Sequence, residues 1–150
     1  MSRLPIWRPN ARGDAKFVLH CSVALGWFDH QLATRYTSNT LQKMISTTAV
    51  VPTTWPVELA GWFLQAEAKG EAWTRIDTFL RALCPLSIRL DRQGPLRAWG
   101  RILSMARAQS VPVEAAGYLE LATRLHLPIA TVDPALINAA GNVGVAVFTP

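Results

Sequence analysis

A chain of 150 residues, half of them hydrophobic and 17% charged, holds enough apolar material for one packed domain, which excludes a disordered or fibrous protein. Its net charge of +5 favours anionic partners over basic ones. Two cysteines, Cys21 and Cys84, make no disulfide framework, and both sit in apolar runs, so they read as buried thiols of a reducing compartment.

The stretch MSRLPIWRPNARGDAK carries basic residues but no apolar core, so it does not resemble a signal peptide. With Pro5, Pro9 and Gly13 it reads as a flexible or loosely docked basic arm over residues 1–16, and residues 17–150 read as the domain. Phe17 to Cys21 is predicted as a first strand. The segment from Ser22 to about Thr47 is predicted helical, broken near Asp29-His30. Ala49 to Val51 is a short second strand closed by Pro52. Thr53-Thr54 then caps a helix with Trp55, Leu59, Trp62, Phe63 and Ala66 at helical spacing and Pro56 in its first turn.

Gly70 ends that helix, and another runs from about Glu71 to Leu83. Leu86 to Leu90 is a third strand. Pro95 to Ala108 and Pro112 to His126 are two helices, each with proline near its start. Pro128 to Val132 is a fourth strand, Pro134 to Ala140 a short helix, and Val145 to Phe148 a fifth strand. Apolar strands alternating with helices imply an α/β fold, a parallel sheet with helices on both faces. No apolar segment reaches the roughly 20 residues of a membrane span, so the expectation is a cytoplasmic protein without membrane contact.

In such a sheet, ligands bind beyond the carboxyl ends of the strands. That nominates His20 to Ser22, Pro52 to Glu58, and Thr131 to Asp133. No GxGxxG follows the first strand and no GxxxxGK[ST] occurs, so dinucleotide and P-loop sites are excluded. Glu58 and Glu114 lie in first helical turns, where the helix dipole alone favours a carboxylate, and Asp133 is equally placed to cap the helix after Pro134. Arginines cluster: residues 1–16 carry Arg3, Arg8, Arg12 and Lys16 against Asp14, and residues 89–107 carry Arg89, Arg92, Arg97, Arg101 and Arg107 against Asp91. These stretches fit either a polyphosphate surface or a solvated face, and Arg97 and Arg101 are expected on one helix face. Trp55, Trp62 and Trp99 are expected in core or interface packing rather than base stacking.

Three segments carry a family resemblance. FVLHCSVALGWF resembles the opening strand and helix of PIN domains of the VapC toxin type. VVPTTWPVELAGWFLQAEAKG resembles their second strand and following helix, and VEAAGYLELATRLHLPIATVDPALINAAGNVGV resembles their C-terminal third. The resemblance spans about residues 17–148. It implies a five-stranded parallel sheet of order 3-2-1-4-5 and a metal-dependent endoribonuclease, the toxin of a toxin–antitoxin pair. It further implies Mg²⁺ or Mn²⁺ as cofactor, RNA as substrate, an antitoxin-like protein partner and a homodimer.

Carried onto this sequence, the acidic site of such proteins is implied at His20, Glu58, Glu114 and Asp133. Glu58, Glu114 and Asp133 are the metal ligands, with Ser22 and Thr131 in support and Arg97 and Arg101 on RNA phosphates. Two positions depart from the pattern. Glu114 replaces aspartate and reaches about 1.5 Å further, one C–C bond, and a misplacement of that order costs about 100-fold in rate. His20 replaces the central aspartate; imidazole is a poor Mg²⁺ ligand and suits Mn²⁺, Zn²⁺, Fe²⁺ or Ni²⁺. His20 therefore reads in one of three ways: a ligand for a softer metal, a base or phosphate contact, or a filler in a site with lost activity.

Overall fold

The computed structural model describes residues 3–150. The strands are β1 (Ala15–Leu19), β2 (Thr48–Pro52), β3 (Ile88–Asp91) and β4 (Ile129–Ala130). The helices are α1 (Cys21–Phe28), α2 (Arg35–Met44), α3 (Trp55–Ala68), α4 (Trp73–Leu83), α5 (Leu103–Gln109), α6 (Val113–Leu125) and α7 (Pro134–Asn142). All strand pairs are parallel, in the order β3-β2-β1-β4. Every residue of β2 is buried, as are four of the five in β1, so both faces of the sheet are covered. α6 packs against β1, β2 and β4, and among the described residues no helix is long and apolar enough to cross a membrane.

The sheet has four strands, not the five expected. Val145 to Phe148 does not form a full strand; it touches β4 through one parallel bridge, Ile129 to Val147. Two backbone bonds hold it there, Ile129 N to Ala146 O at 2.9 Å and Phe148 N to Ile129 O at 2.8 Å. β4 itself is only two residues long, so no longer ladder is available to a neighbour.

The expected helix over 95–108 is three pieces: a 3₁₀ turn Gly94–Arg97, a π-helical turn Ala98–Ile102 and then α5. Gly94, Pro95 and Gly100 in this short stretch weaken a continuous α-helix. Thr54 does stand at the N-cap of α3, but its side chain makes no capping bond and its backbone is already helical. The long helical segment after β1 divides as expected, with the break covering residues 29–34. Thr34 and Thr37 restart it with a reciprocal capping box.

The boundary expected at residue 17 falls inside β1, which opens at Ala15. The preceding residues are tied to the domain. Asn10 N donates to Ile88 O at 3.0 Å, Arg12 N to Ser87 Oγ at 2.8 Å and Arg12 Nη2 to Pro85 O at 2.6 Å. Trp7 sits against the buried Trp55, ring centroids 5.8 Å apart. Met1 and Ser2, the start of the expected arm, lie outside the described residues.

Candidate functional site

β1 and β4 run in register, Val18 opposite Ile129 and Leu19 opposite Ala130, so their carboxyl ends lie side by side. The next residue, His20, donates its backbone N–H to Ala130 O at 2.9 Å and forms the N-cap of α1 in an extended conformation. Its Nδ1 accepts from Ser22 N at 3.3 Å, and lies 2.7 Å from Ser22 Oγ and 3.2 Å from Thr131 Oγ1. A backbone amide can only donate, so Nδ1 carries the lone pair and the ring hydrogen sits on Nε2. Burial lowers the pKa of His20, against the raising pull of the Glu58 and Asp133 charges, so the ring is neutral at neutral pH.

Ser22 and Thr131 are fully engaged in this arrangement. Ser22 Oγ accepts from Val132 N at 3.2 Å, and Thr131 Oγ1 accepts from Asp133 N at 3.1 Å. The two hydroxyls thus fix the imidazole and join the β1–α1 turn to the β4–α7 turn.

Glu58 enters from the first turn of α3. Tyr118, wholly buried on α6, donates its hydroxyl to Glu58 Oε2 at 2.8 Å. Glu58 Oε1 is buried and has no hydrogen-bond partner. The Cys21 thiol lies beside both; burial first, then the adjacent Glu58 carboxylate, pushes its pKa up to about 12. Tyr118 is pushed well above the usual phenol range, by burial first and then by Cys21 and Glu58. The His20 ring meets Tyr118 edge-on at 4.6 Å. Donor atoms of His20, Cys21 and Glu58 all lie within 4.8 Å of one another, with His20 Nε2 and Cys21 Sγ 3.8 Å apart.

The other expected site residues are spread out. Asp133 caps α7, its Oδ1 accepting from Ala135 N at 2.9 Å and Leu136 N at 3.3 Å. Its charge reaches His20, but it stands outside the tight donor group. Glu114 is exposed and lines a separate apolar groove with Pro52, Thr54, Pro95, Ala98 and Val113. Arg97 pairs with the buried Glu120, Nε to Oε1 at 3.4 Å, and so is structural. Arg101 is exposed, but on the π-helical turn, so the two arginines do not share a regular helix face.

Two members of the cluster, Cys21 and Tyr118, carried no metal or catalytic role in the sequence reading. Tyr118 had one pointer, its place one turn after Glu114. Cys21 had none, since an apolar run with a cysteine reads as core.

This donor set does not fit Mg²⁺. That ion takes oxygen ligands in near-octahedral geometry at about 2.0–2.1 Å. Here His20 offers a neutral ring already used as a helix cap. Its neighbours are a thiol and a phenol hydrogen-bonded to Glu58.

No protein-family model matches this chain, and no curated protein matches it. The chain is similar in structure to the crystal structure of PAE2754 from Pyrobaculum aerophilum. The TM-score is 0.65 at 14% identity, covering 83% of this chain and 86% of that one. At that identity the likeness is one of fold.

Proposed function

We propose that this chain is a VapC-like PIN domain that holds RNA and in which Mg²⁺-dependent cleavage is lost. The observation that carries the reading is His20: a neutral imidazole, locked as the cap of α1, where a hard-metal nuclease needs a carboxylate. Glu58 and Asp133 remain, which supports descent from such a site, yet Asp133 is capping a helix and Glu58 is held by Tyr118.

RNA binding is supported by the segment after β3. Arg92, Arg101 and Arg107 are exposed there, and Trp99, between them in sequence, is 94% exposed rather than in the core. An open indole among arginines suits single-stranded nucleic acid, the bases stacking while the guanidinium groups meet phosphates. The same exposed Leu96, Trp99 and Leu103 favour a second reading, in which an antitoxin-like protein covers this segment.

Cleavage of a mixed structured RNA in Mg²⁺ and then Mn²⁺ tests the first reading. The native protein is compared with His20→Asp and with Asp133→Asn as background. Native activity equal to background, with RNA retained in a filter-binding assay, is the expected result. Native cleavage in Mg²⁺ above background overturns it, and absence of RNA retention transfers support to the protein-partner reading.

A further inference from the structure

We propose that His20, Cys21 and Glu58 form a site for one borderline-soft divalent cation of the Zn²⁺ class, with a fourth position open to water. The inference rests on donor geometry and stands apart from the RNA reading.

The three donors are a nitrogen, a sulfur and an oxygen. That mixture suits Zn²⁺ and its neighbours and is foreign to Mg²⁺. Zn²⁺ holds imidazole nitrogen at about 2.0–2.1 Å and thiolate sulfur at about 2.3 Å, which in a tetrahedron separates the two ligands by roughly 3.6 Å. His20 Nε2 and Cys21 Sγ are 3.8 Å apart without any cation between them. The His20–Cys21 pair therefore accepts a cation with a movement of a few tenths of an ångström, and the Glu58 oxygen, within 4.8 Å of both, closes in as the third ligand.

A second observation points the same way. Glu58 Oε1 is a buried oxygen whose carboxylate has the Cys21 thiol as neighbour, while Oε2 is held by Tyr118 at 2.8 Å. Buried carboxylate oxygens are almost always satisfied. Tyr118 holds one oxygen and leaves the other free to coordinate, as a supporting group does around a metal ligand.

The surroundings of His20 allow the necessary change. Coordination at Nε2 moves the ring hydrogen to Nδ1, where Ser22 Oγ at 2.7 Å and Thr131 Oγ1 at 3.2 Å stand ready to accept it. Ser22 N gives up its bond to Nδ1 in that state. The cap of α1 and the cation thus compete for one ring, which sets the affinity below that of a dedicated four-ligand site. Coordination also takes the proton from Cys21, which passes to solvent as the S–metal bond forms.

Titration of the full chain with Co²⁺, a spectroscopic stand-in for Zn²⁺, tests the site. The expected result is a thiolate-to-cobalt charge-transfer band in the near ultraviolet that saturates at a single equivalent. Excess Mg²⁺ leaves it in place and Zn²⁺ abolishes it. Cys84→Ser keeps the band, and Cys21→Ser loses it while its circular dichroism remains that of the native fold. Ser22→Ala, which removes an acceptor from Nδ1, weakens Co²⁺ binding about 10-fold. Absence of the band in the native protein, or its persistence in Cys21→Ser, overturns the proposal. RNA retention measured with and without chelator separates the two readings, since its absence in both strikes the RNA reading and leaves the cobalt result standing.

Discussion

Tyr118 and Glu58, 60 residues apart in sequence, are joined by a 2.8 Å hydrogen bond from a tyrosine with no exposed surface. The bond links α6 to α3 across the carboxyl ends of β1 and β2. The Cys21 thiol is the other side-chain hydrogen-bonding neighbour of the Glu58 carboxylate. Tyr118→Phe keeps the ring's packing and removes the donor to Oε2, leaving the carboxylate only the weaker Cys21 thiol. An unsatisfied buried acceptor costs about 1–3 kcal/mol, and a charged one lies at the upper end. Urea denaturation of the metal-free protein is expected to show a lower midpoint with an unchanged slope.

How far the sequence foretold this arrangement can be traced residue by residue. Alternating apolar runs and helical spacings located β1 to β4 and all the regular helices, because burial on both faces of a parallel sheet leaves a continuous apolar signature. The rule that ligands meet the strand ends brought out His20, Ser22, Glu58 and Thr131, which the structure places together. Glu114 failed because a first-turn carboxylate looks the same in sequence whether the helix turns it toward a cleft or toward water. Trp99 lies outside the core for a related reason: its spacing suits a buried α-helical face, but it lies on a π-helical turn whose period differs, which leaves the expected interface role open. The charge network of Asp91, Glu120, Arg97 and Arg124 has no sequence signature beyond the i, i+4 spacing of Glu120 and Arg124.

That network supplies the next prediction. Arg124 bonds Asp91 through Nη2 at 2.7 Å and Glu120 through Nε at 2.9 Å, and Glu120 is wholly buried. Arg97 reaches Glu120 at 3.4 Å but is itself partly exposed. Arg124→Met preserves the apolar stem and leaves two buried carboxylates short of their shared cation. Breaking a buried pair in this way costs about 3–5 kcal/mol. A thermal or urea melt at neutral pH is expected to show a loss of that size, larger than for Arg97→Met.

The same network fixes the acid limit of stability. Burial raises the Asp91 pKa, but the Arg124 hydrogen bonds, the amides of Gln93 and Gly94 and the Arg124 charge outweigh it, so the net shift is downward from 3.8. A carboxyl depressed in the folded state contributes stability that is fully present above its unfolded value and is lost as pH falls through the folded one. Native stability is therefore expected to hold to about pH 4 and decline below it. In Asp91→Asn the decline is shallower, which denaturant midpoints at pH 3, 4 and 6 will check.

Gly26 of α1 faces Thr37 of α2 so closely that a Cβ built on it would stand 2.7 Å from Thr37 Cγ2. Thr37 cannot yield easily, because its hydroxyl closes the capping box with Thr34 and its carbonyl accepts from Trp27 Nε1 at 2.8 Å. Gly26→Ala gains helix propensity of up to about 1 kcal/mol and meets an overpacking cost of about 1–3 kcal/mol. The net expectation is a modest destabilisation. Gly26→Ala combined with Thr37→Ser, which removes the nearest atom but keeps Cβ and Oγ1 at 3.0 Å, is expected to recover part of it in the same melt.

The RNA reading turns on Trp99 and Arg101, and the two residues make separable contributions. An exposed indole that stacks a base contributes about 1–3 kcal/mol, with little dependence on salt. An arginine on a phosphate contributes through counterion release, so its loss shows in the slope of log K against log salt. Trp99→Ala is therefore expected to weaken binding of a single-stranded RNA at every salt concentration and leave the slope unchanged. Arg101→Gln is expected to reduce the slope by about 1. Arg97→Gln, by contrast, removes a residue already committed to Glu120 and is expected to change stability more than the slope. If Trp99→Ala binds RNA as the native protein does, the indole serves a protein contact instead, and the segment from Leu96 to Leu103 belongs to a partner interface.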